Sequence, residues 1–536
     1  MASTPTLEQF LRELGNIIRA GDGEQMRNYM IIEPPYNDLY QKMINEVRQN
    51  YPKEQEGALD DFCRDNLPEA RDGIDGVSWT AFIYFIAQYF TFIRDVNVDN
   101  LLDTYNLFSE VMQKISSALG HSTLGIILLP TVIEYSKVFA KLAIGLDKQP
   151  ELIANAVATT SDEGGEGETL PERAGNIIRS AFTTCLNDRN SSGIAPDNTP
   201  DSRNKKSGIY KLANLCLKIF FQCRKIRNCE QIFTNIYNQS PPLSIYPKAQ
   251  QVTYLYYLGR FQFANSHFWR AQLALQHALD LTPANFISQR RLILIYLLTS
   301  NLLLGRFPSA ALYSLPEARG LRQHFGPLCR AIARGDIPAF QQLTSLETGP
   351  SAGWLYSHKV LLEIRYRGFV LVQRSLTRLV FLVAGDPGDP EARKAPTLDI
   401  SAVHTALRYL EHRPPQAAVY VDPDFEGMDP AELNYLDEDG EPNPLLLPTF
   451  AESEALIASM IDQNLINGFI SHRQGRLAIQ GAKRKAAVAA GWPKVWEVIV
   501  AKFAGEEVPG WKKDGAGGTG MGGGMVVNLS GVRGVS

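Results

Sequence analysis

The sequence predicts a mainly α protein: a solenoid of helical, TPR-like repeats that ends in a winged-helix domain. Three observations carry that prediction. Apolar residues recur at spacings of three and four through most of the chain. One stretch fits a helix-turn-helix repeat template of about 34 residues. Near the end, "LINGFISHRQGRLAI" (Leu465–Ile479) alternates apolar and polar residues, turns at Gln474-Gly475 and comes back alternating, the pattern of a β-hairpin.

Residues 1–150 read as an N-terminal helical region. "LEQFLRELGNIIRA" sets Leu7, Phe10, Leu11, Leu14, Ile17 and Ile18 on one face, and "WTAFIYFIAQYFTFIRDV" and "NLFSEVMQKISSAL" continue the pattern. Residues 151–206 read as an acidic and polar linker. "TTSDEGGEGETLPE" and "NDRNSSGIAPDNTPDSRNKK" hold too little apolar surface to fold, with one short helix around Ala174–Leu186 between them.

Residues 207–370 carry the repeats. Leu212, Leu215, Ile219 and Cys223 lie on or near one stripe of "GIYKLANLCLKIFFQCRK". Leu255, Leu258, Gly259, Ala271, Leu275, Ala278 and Pro283 then fall at the template's offsets. Small residues belong where two helices cross closely, and proline ends the second helix. "QRRLILIYLLTSNLLLGRFPSAAL" fits more loosely. "AIARGDIPAFQQL" and "RAGDGEQM" each read as a helix, a Gly-Asp break and a helix.

Residues 371–505 read as the winged helix. The helical stretch "LLEIRYRGFVLVQRSLTRLVFLV" precedes a Pro/Gly break. "LDISAVHTALRYL" supplies a strand-like start and a short helix, "PTFAESEALIASMIDQNLI" another helix, and the hairpin is the wing. An acidic insert, 414–448, separates the two helices, and 506–536 is expected to be a disordered Gly-rich tail.

Composition narrows the function classes. At 536 residues, with 45% apolar and 21% charged residues, the chain is an ordinary globular protein with room for several domains. Six scattered cysteines suit a reducing compartment. The N-terminus carries charges inside its apolar pattern, unlike a signal peptide, and "LILIYLLTSNLLLG" is too short to span a bilayer. No His pair has metalloprotease spacing. "GAGGTG" (Gly515–Gly520) matches a dinucleotide-loop pattern but lacks the strand before and the helix after. No catalytic residue, metal or cofactor is expected.

Charge reverses along the winged helix. The insert holds Asp422, Asp424, Glu426, Asp429, Glu432, Asp437, Glu438, Asp439 and Glu441, and the would-be recognition helix adds Glu452, Glu454 and Asp462. Carboxylates set against phosphates exclude major-groove reading by that helix. From the wing onward, Arg473, Arg476, Lys483, Arg484, Lys485, Lys494 and Lys502 face one acid, Glu497, with Trp492 and Trp496 among them. Such a patch either neutralises phosphates without sequence preference or is a solvated helix that pairs with the insert. Arg365, Arg367, Arg374 and Arg378, farther upstream, read as ion-paired or solvent-exposed.

A helical array ending in one winged helix is the plan of PCI domains, the scaffold modules of the proteasome lid, the COP9 signalosome and translation initiation factor 3. "YPKAQQVTYLYYLGRFQF", "QRRLILIYLLTSNLLLGRFP", "RAIARGDIPAF" and "NLINGFISHRQGRLAI" resemble one PCI subfamily over roughly residues 205–479. That subfamily comprises PCI domain-containing protein 2, the fungal Thp subunit of the TREX-2 mRNA-export complex, and the signalosome subunit 12-like proteins.

The resemblance implies a non-catalytic nuclear subunit at the pores. Its winged helix would pair with a large GANP-type scaffold protein, and it would also hold a small acidic DSS-type protein. The joined winged helices would bind RNA or DNA through Arg473, Arg476, Lys483, Arg484, Lys485 and Lys494. An exposed sheet edge readily pairs with another chain. Ile466, Phe469, Ile470, Leu477 and Ile479 are expected to supply apolar contacts in the core and at that partner surface. The resemblance leaves open a signalosome subunit 12-like protein of a splicing or transcription module. It also leaves open a protein-only scaffold of the proteasome-lid or initiation-factor type.

Overall fold

A computed structural model describes residues 4–53, 57–73, 76–97, 99–149, 169–189, 193–389, 394–412, 448–483 and 485–512. The acidic insert, apart from Pro448, and the first part of the linker lie outside these residues, as do Arg484 and the tail beyond Lys512. The chain divides within the helix Lys248–Ala264 into two compact units, one of residues up to Tyr257 together with the segment from Glu507, the other Leu258–Glu506.

The first unit is helical throughout, and its helices follow from the apolar spacing. In Pro5–Ala20, Leu7, Phe10, Leu11, Leu14, Ile17 and Ile18 are all buried. The helix stops at Gly21, which adopts φ 70° and returns its N–H to the carbonyls of Ile17 and Ile18. Asp22 then accepts the Glu24 and Gln25 N–H groups and starts the next helix, Gly23–Tyr29. The predicted Gly-Asp break is therefore a left-handed stop followed by an N-cap. Helices Thr80–Asp95, Leu101–Leu119 and Leu129–Asp147 fill the core with aromatic side chains, among them Phe82, Tyr89, Phe108 and Phe139.

The second half of the linker departs from expectation. Helix Leu170–Leu186 starts at the Thr169 cap and packs against Ile209–Gln222, where a Cβ on Gly175 would lie 2.7 Å from the Phe220 ring. The polar stretch Gly193–Asn204 is a defined loop. The Ala195 N–H donates to the Thr199 carbonyl (2.9 Å), that of Asn198 to Ala195 (3.0 Å) and that of Asp201 to Gly193 (3.1 Å). Lys205 is buried at its end, with Nζ 2.7 Å from the His121 carbonyl, and burial draws its ammonium pKa down. Composition misjudged this segment because its backbone is satisfied by its own turns rather than by an apolar core. The chain divides between Tyr257 and Leu258.

The tail is likewise ordered at its start. Val508 and Trp511 are buried in the first unit and bridge to one another, and the Tyr254 hydroxyl donates to the Gly510 carbonyl at 2.6 Å. The chain divides after Glu506, beside the expected boundary, and what departs from expectation is that residues 507–512 are ordered.

In the second unit the repeat template is met physically. Helix Phe268–Leu281 buries Ala271, Leu275 and Ala278, and a Cβ on Gly259 would sit 2.5 Å from Leu275 Cγ. Helix Ile287–Leu303 follows, but its partner shrinks to the single turn Ala310–Tyr313 ahead of Pro316, which accounts for the looser fit. Arg290 locks this corner. Its guanidinium lies 2.7 Å from the Glu317 carboxylate and also donates to the carbonyls of Thr282 (2.7 Å) and Leu279 (3.1 Å) at the end of the preceding helix.

That corner carries a pH dependence. Burial pushes the Glu317 carboxyl up, yet hydrogen bonds from its own backbone and from Arg290 outweigh this and hold its pKa below the ordinary value. A depressed carboxylate contributes stability that is fully present above its unfolded pKa, about 4.3, and is lost as pH falls through the lower folded value. Urea midpoints taken from pH 6 down to 3 are therefore expected to fall less steeply in Glu317→Gln than in wild type. Parallel curves would remove this assignment.

"AIARGDIPAFQQL" repeats the N-terminal device, with Gly335 at φ 65° and Asp336 capping Ile337–Thr344. The long helix predicted next is broken at Gly368 into Leu361–Arg367 and Phe369–Ala384. A Cβ at Gly368 would stand 2.5 Å from the Ile364 carbonyl and 3.3 Å from the Phe340 ring, so the backbone turns there against its neighbour.

The unit closes with a three-stranded antiparallel sheet of β1 (Thr397–Asp399), β2 (Gly468–Ser471) and β3 (Arg476–Ile479), in the order β1-β3-β2. Leu477 faces Leu398 on one side and Ile470 on the other. Helices Ile400–His412 and Phe450–Asp462 pack on one another beside it, and Ala487–Gly491 and Val495–Phe503 follow. This is the predicted order of a winged helix, with β2 and β3 as the wing.

Candidate nucleic-acid interface

The wing turns through a short 3-10 segment, His472–Gln474, and Gly475 closes it at φ 61°. That turn puts Arg473 at the tip, in solvent. Arg476 begins β3, also exposed, directly across from Asp399. It helps to hold the Asp399 and Asp386 carboxyls below their usual range, after the larger effects of Ser401 on Asp399 and of Lys394 and the Gly388 N–H on Asp386. Part of its charge is therefore answered within the chain.

The other cations sort in the same way. Lys494 lies 2.8 Å from the Glu497 carboxylate one turn on, and that hydrogen bond raises its pKa. Lys483 and Lys485 are exposed and form no ion pair among the described residues. Among the described residues, no ion pair is formed by Arg473 at the tip, by Lys483 and Lys485 in the loop after β3, or by Lys502 on the last helix, whose Nζ lies 5.8 Å from the Phe503 ring centroid. Arg484, between the two lysines, lies outside the described residues.

The acids of the neighbouring helix have structural tasks. Thr449 and Glu452 form a reciprocal capping box, Glu452 taking the Thr449 N–H at 2.7 Å and giving its own N–H to the hydroxyl at 3.2 Å. Glu454 meets His472 Nδ1 at 2.7 Å and ties the wing turn to the helix. Glu452 is thus engaged in capping the helix and Glu454 in holding the wing turn.

The tryptophans are structural too. Trp492 is buried with its ring centroid 4.9 Å from that of Phe381. Trp496 lies 5.4 Å from Trp269, and the Arg306 guanidinium covers it at 4.8 Å. Both rings are thus engaged by neighbours within the chain. Arg374, expected to be ion-paired or exposed, is half-buried and forms no ion pair among the described residues. Nε donates to the Leu465 carbonyl at 2.9 Å and Nη2 to that of Pro493, and burial brings its pKa down to about 10, so it remains charged at neutral pH.

The five apolar residues expected at the partner surface separate cleanly. Ile466, Leu477 and Ile479 are 1%, 0% and 3% exposed and belong to the core, so as partner contacts they are withdrawn. The physical reason is the strand order: β3 is central and covered on both faces, and strict alternation holds only for a half-buried strand. Phe469 is 53% exposed and Ile470 half-buried, both on the edge strand β2. Sequence reasoning missed Phe450 and Tyr409, which are exposed on the two adjoining helices. Phe450 follows directly on its N-cap Thr449, the one signal that could have separated it from the core stripe.

A helical array closed by a three-stranded winged helix is consistent with the PCI architecture. No family model matches the chain. It is similar to a PCI domain-containing protein of Schizosaccharomyces pombe, at 25% identity over 74% of this chain and 77% of that one. It is also similar to the CSN12 homolog of Mycosarcoma maydis, 26% identical over 59% of this chain and 62% of the relative. PCI domain-containing protein 2 of Danio rerio is 32% identical over 36% of this chain and 46% of its own length. Such relatives in fungi and animals support a PCI-family protein of the PCI domain-containing protein 2 and CSN12 kind. Among the described residues no helix is long and apolar enough to cross a membrane.

Proposed function

We propose that this chain is the non-catalytic PCI subunit of a TREX-2-type complex, acting in nuclear mRNA export at the pores. Its winged helix pairs with a large GANP-type scaffold protein along β2, a small acidic DSS-type protein binds the same subunit, and RNA or DNA crosses the wing. The observation that carries the reading is that cations without an ion pair among the described residues, Arg473 at the wing tip and Lys483 and Lys485 in the loop after β3, accompany an edge strand, β2, that bears the exposed Phe469. Counterion release makes binding at such a site salt-dependent and indifferent to sequence. The similarity to CSN12 homologs favours a second reading, a signalosome subunit 12-like protein of a splicing or transcription module.

Purification of the tagged chain from its own cells separates the two. A GANP-type scaffold with a DSS-type protein supports export; a different PCI partner with the same acidic protein supports the second reading. In the partnered complex, changing Arg473, Lys483 and Lys485 to Gln should reduce the slope of log K against log salt by about 2–3 and weaken binding about tenfold or more. Unchanged affinity and slope would move the nucleic-acid site elsewhere.

A further inference from the structure

The first unit holds a groove of about 1210 Å³, above the roughly 300–1,000 Å³ typical of small-molecule sites. One wall is the face of helix Leu129–Asp147 that carries Pro130 and Ile133, extended by Ile126. The other is helix Ile209–Gln222, which presents Lys211 and, one turn on, Leu215. Ile126, Pro130, Ile133 and Leu215 are only half-buried, so the apolar floor is open to solvent.

Charge selects the occupant. The carboxylates along the groove are already engaged: Asp22 caps its helix, Glu24 pairs with Arg27 at 2.7 Å, and Glu134 pairs with Lys137 at 2.8 Å. Arg203 and Lys211, both exposed, have no ion pair among the described residues and leave the rim positive. Backbone chemistry selects its form. The two long walls are helices whose N–H and C=O groups are consumed internally, and the loop that carries Arg203 spends its backbone groups on its own turns, so the groove offers an extended peptide no ladder to join. A guest that satisfies its own backbone, a helix, fits such walls.

We propose that this groove is a second docking site, separate from the wing, for an amphipathic helix of a partner protein. The helix lays an apolar stripe on Ile133 and Leu215 and sets acidic residues against Arg203 and Lys211.

The test uses the full chain and synthetic helices of about 18 residues, five turns, followed by fluorescence anisotropy. One peptide carries leucines on one face flanked by Glu, a second carries Lys in place of Glu, and a third scrambles the Glu peptide. The Glu peptide is expected to bind at least about tenfold more tightly than either, a difference of about 1.4 kcal/mol. The exposed pair Arg203→Glu with Lys211→Glu should reverse the preference to the Lys peptide, and Ile133→Glu should abolish binding by both. Equal affinities for the three peptides, or a preference untouched by the double charge reversal, would overturn the proposal. So would self-association of the chain that Ile133→Glu abolishes, since the groove would then be an interface between copies.

Discussion

Gly259→Val is expected to lower the stability of the second unit by about 3 kcal/mol, at or beyond the upper end of ordinary overpacking. The first added carbon meets Leu275 Cγ at 2.5 Å, and Leu275 is fully buried. Gly259→Ala brings the same carbon but gains about 1 kcal/mol of helix propensity, so its net loss should be smaller. The cause is identified by a cycle with Leu275→Ala. That truncation costs about 2–5 kcal/mol in the wild type because it opens a cavity, and less in Gly259→Val because the new side chain occupies part of it. Urea unfolding of the four proteins reads the coupling. Additive losses would mean that the crossing at Gly259 is not the source.

Arg374→Met is expected to cost about 3 kcal/mol, although no ion pair is lost. Methionine keeps the apolar stem but leaves the Leu465 and Pro493 carbonyls without donors, and an unsatisfied buried polar group costs about 1–3 kcal/mol. Lysine has no planar fork and can serve one carbonyl well, so Arg374→Lys should fall between wild type and methionine. Hydrogen exchange adds a local readout, with protection expected to drop first in residues 465–467 and 491–492. Because Leu465 leads into β2, the same variant should weaken partner binding with Phe469 itself unchanged. A methionine variant as stable as wild type would show that water or a rearranged side chain serves the two carbonyls.

The helical architecture and its punctuation were legible before any coordinates. The stripe from Leu7 to Ile18, the Gly-Asp stops at Gly21-Asp22 and Gly335-Asp336, the small residue at Gly259 and the hairpin of the wing all appear where expected. These features depend on interactions within a few residues, where spacing determines which side chains share a face and a glycine determines where the backbone can reverse. The wing's surplus of cations was legible for the same reason, since charge is a property of composition.

What the sequence could not rank was the use of each group, because that depends on partners far away in the chain. Arg374 finds its acceptors 91 and 119 residues on, Trp496 finds Trp269, and Lys205 reaches a carbonyl 84 residues back. Burial of Ile466, Leu477 and Ile479 follows from β3 being the central strand, which no local pattern encodes. The sequence by itself determined the helices, their stops and the sign of the wing's charge. Tertiary packing decided which cations and apolar groups remain for a ligand, since availability is what is left after every buried donor, acceptor and apolar face has been satisfied from within.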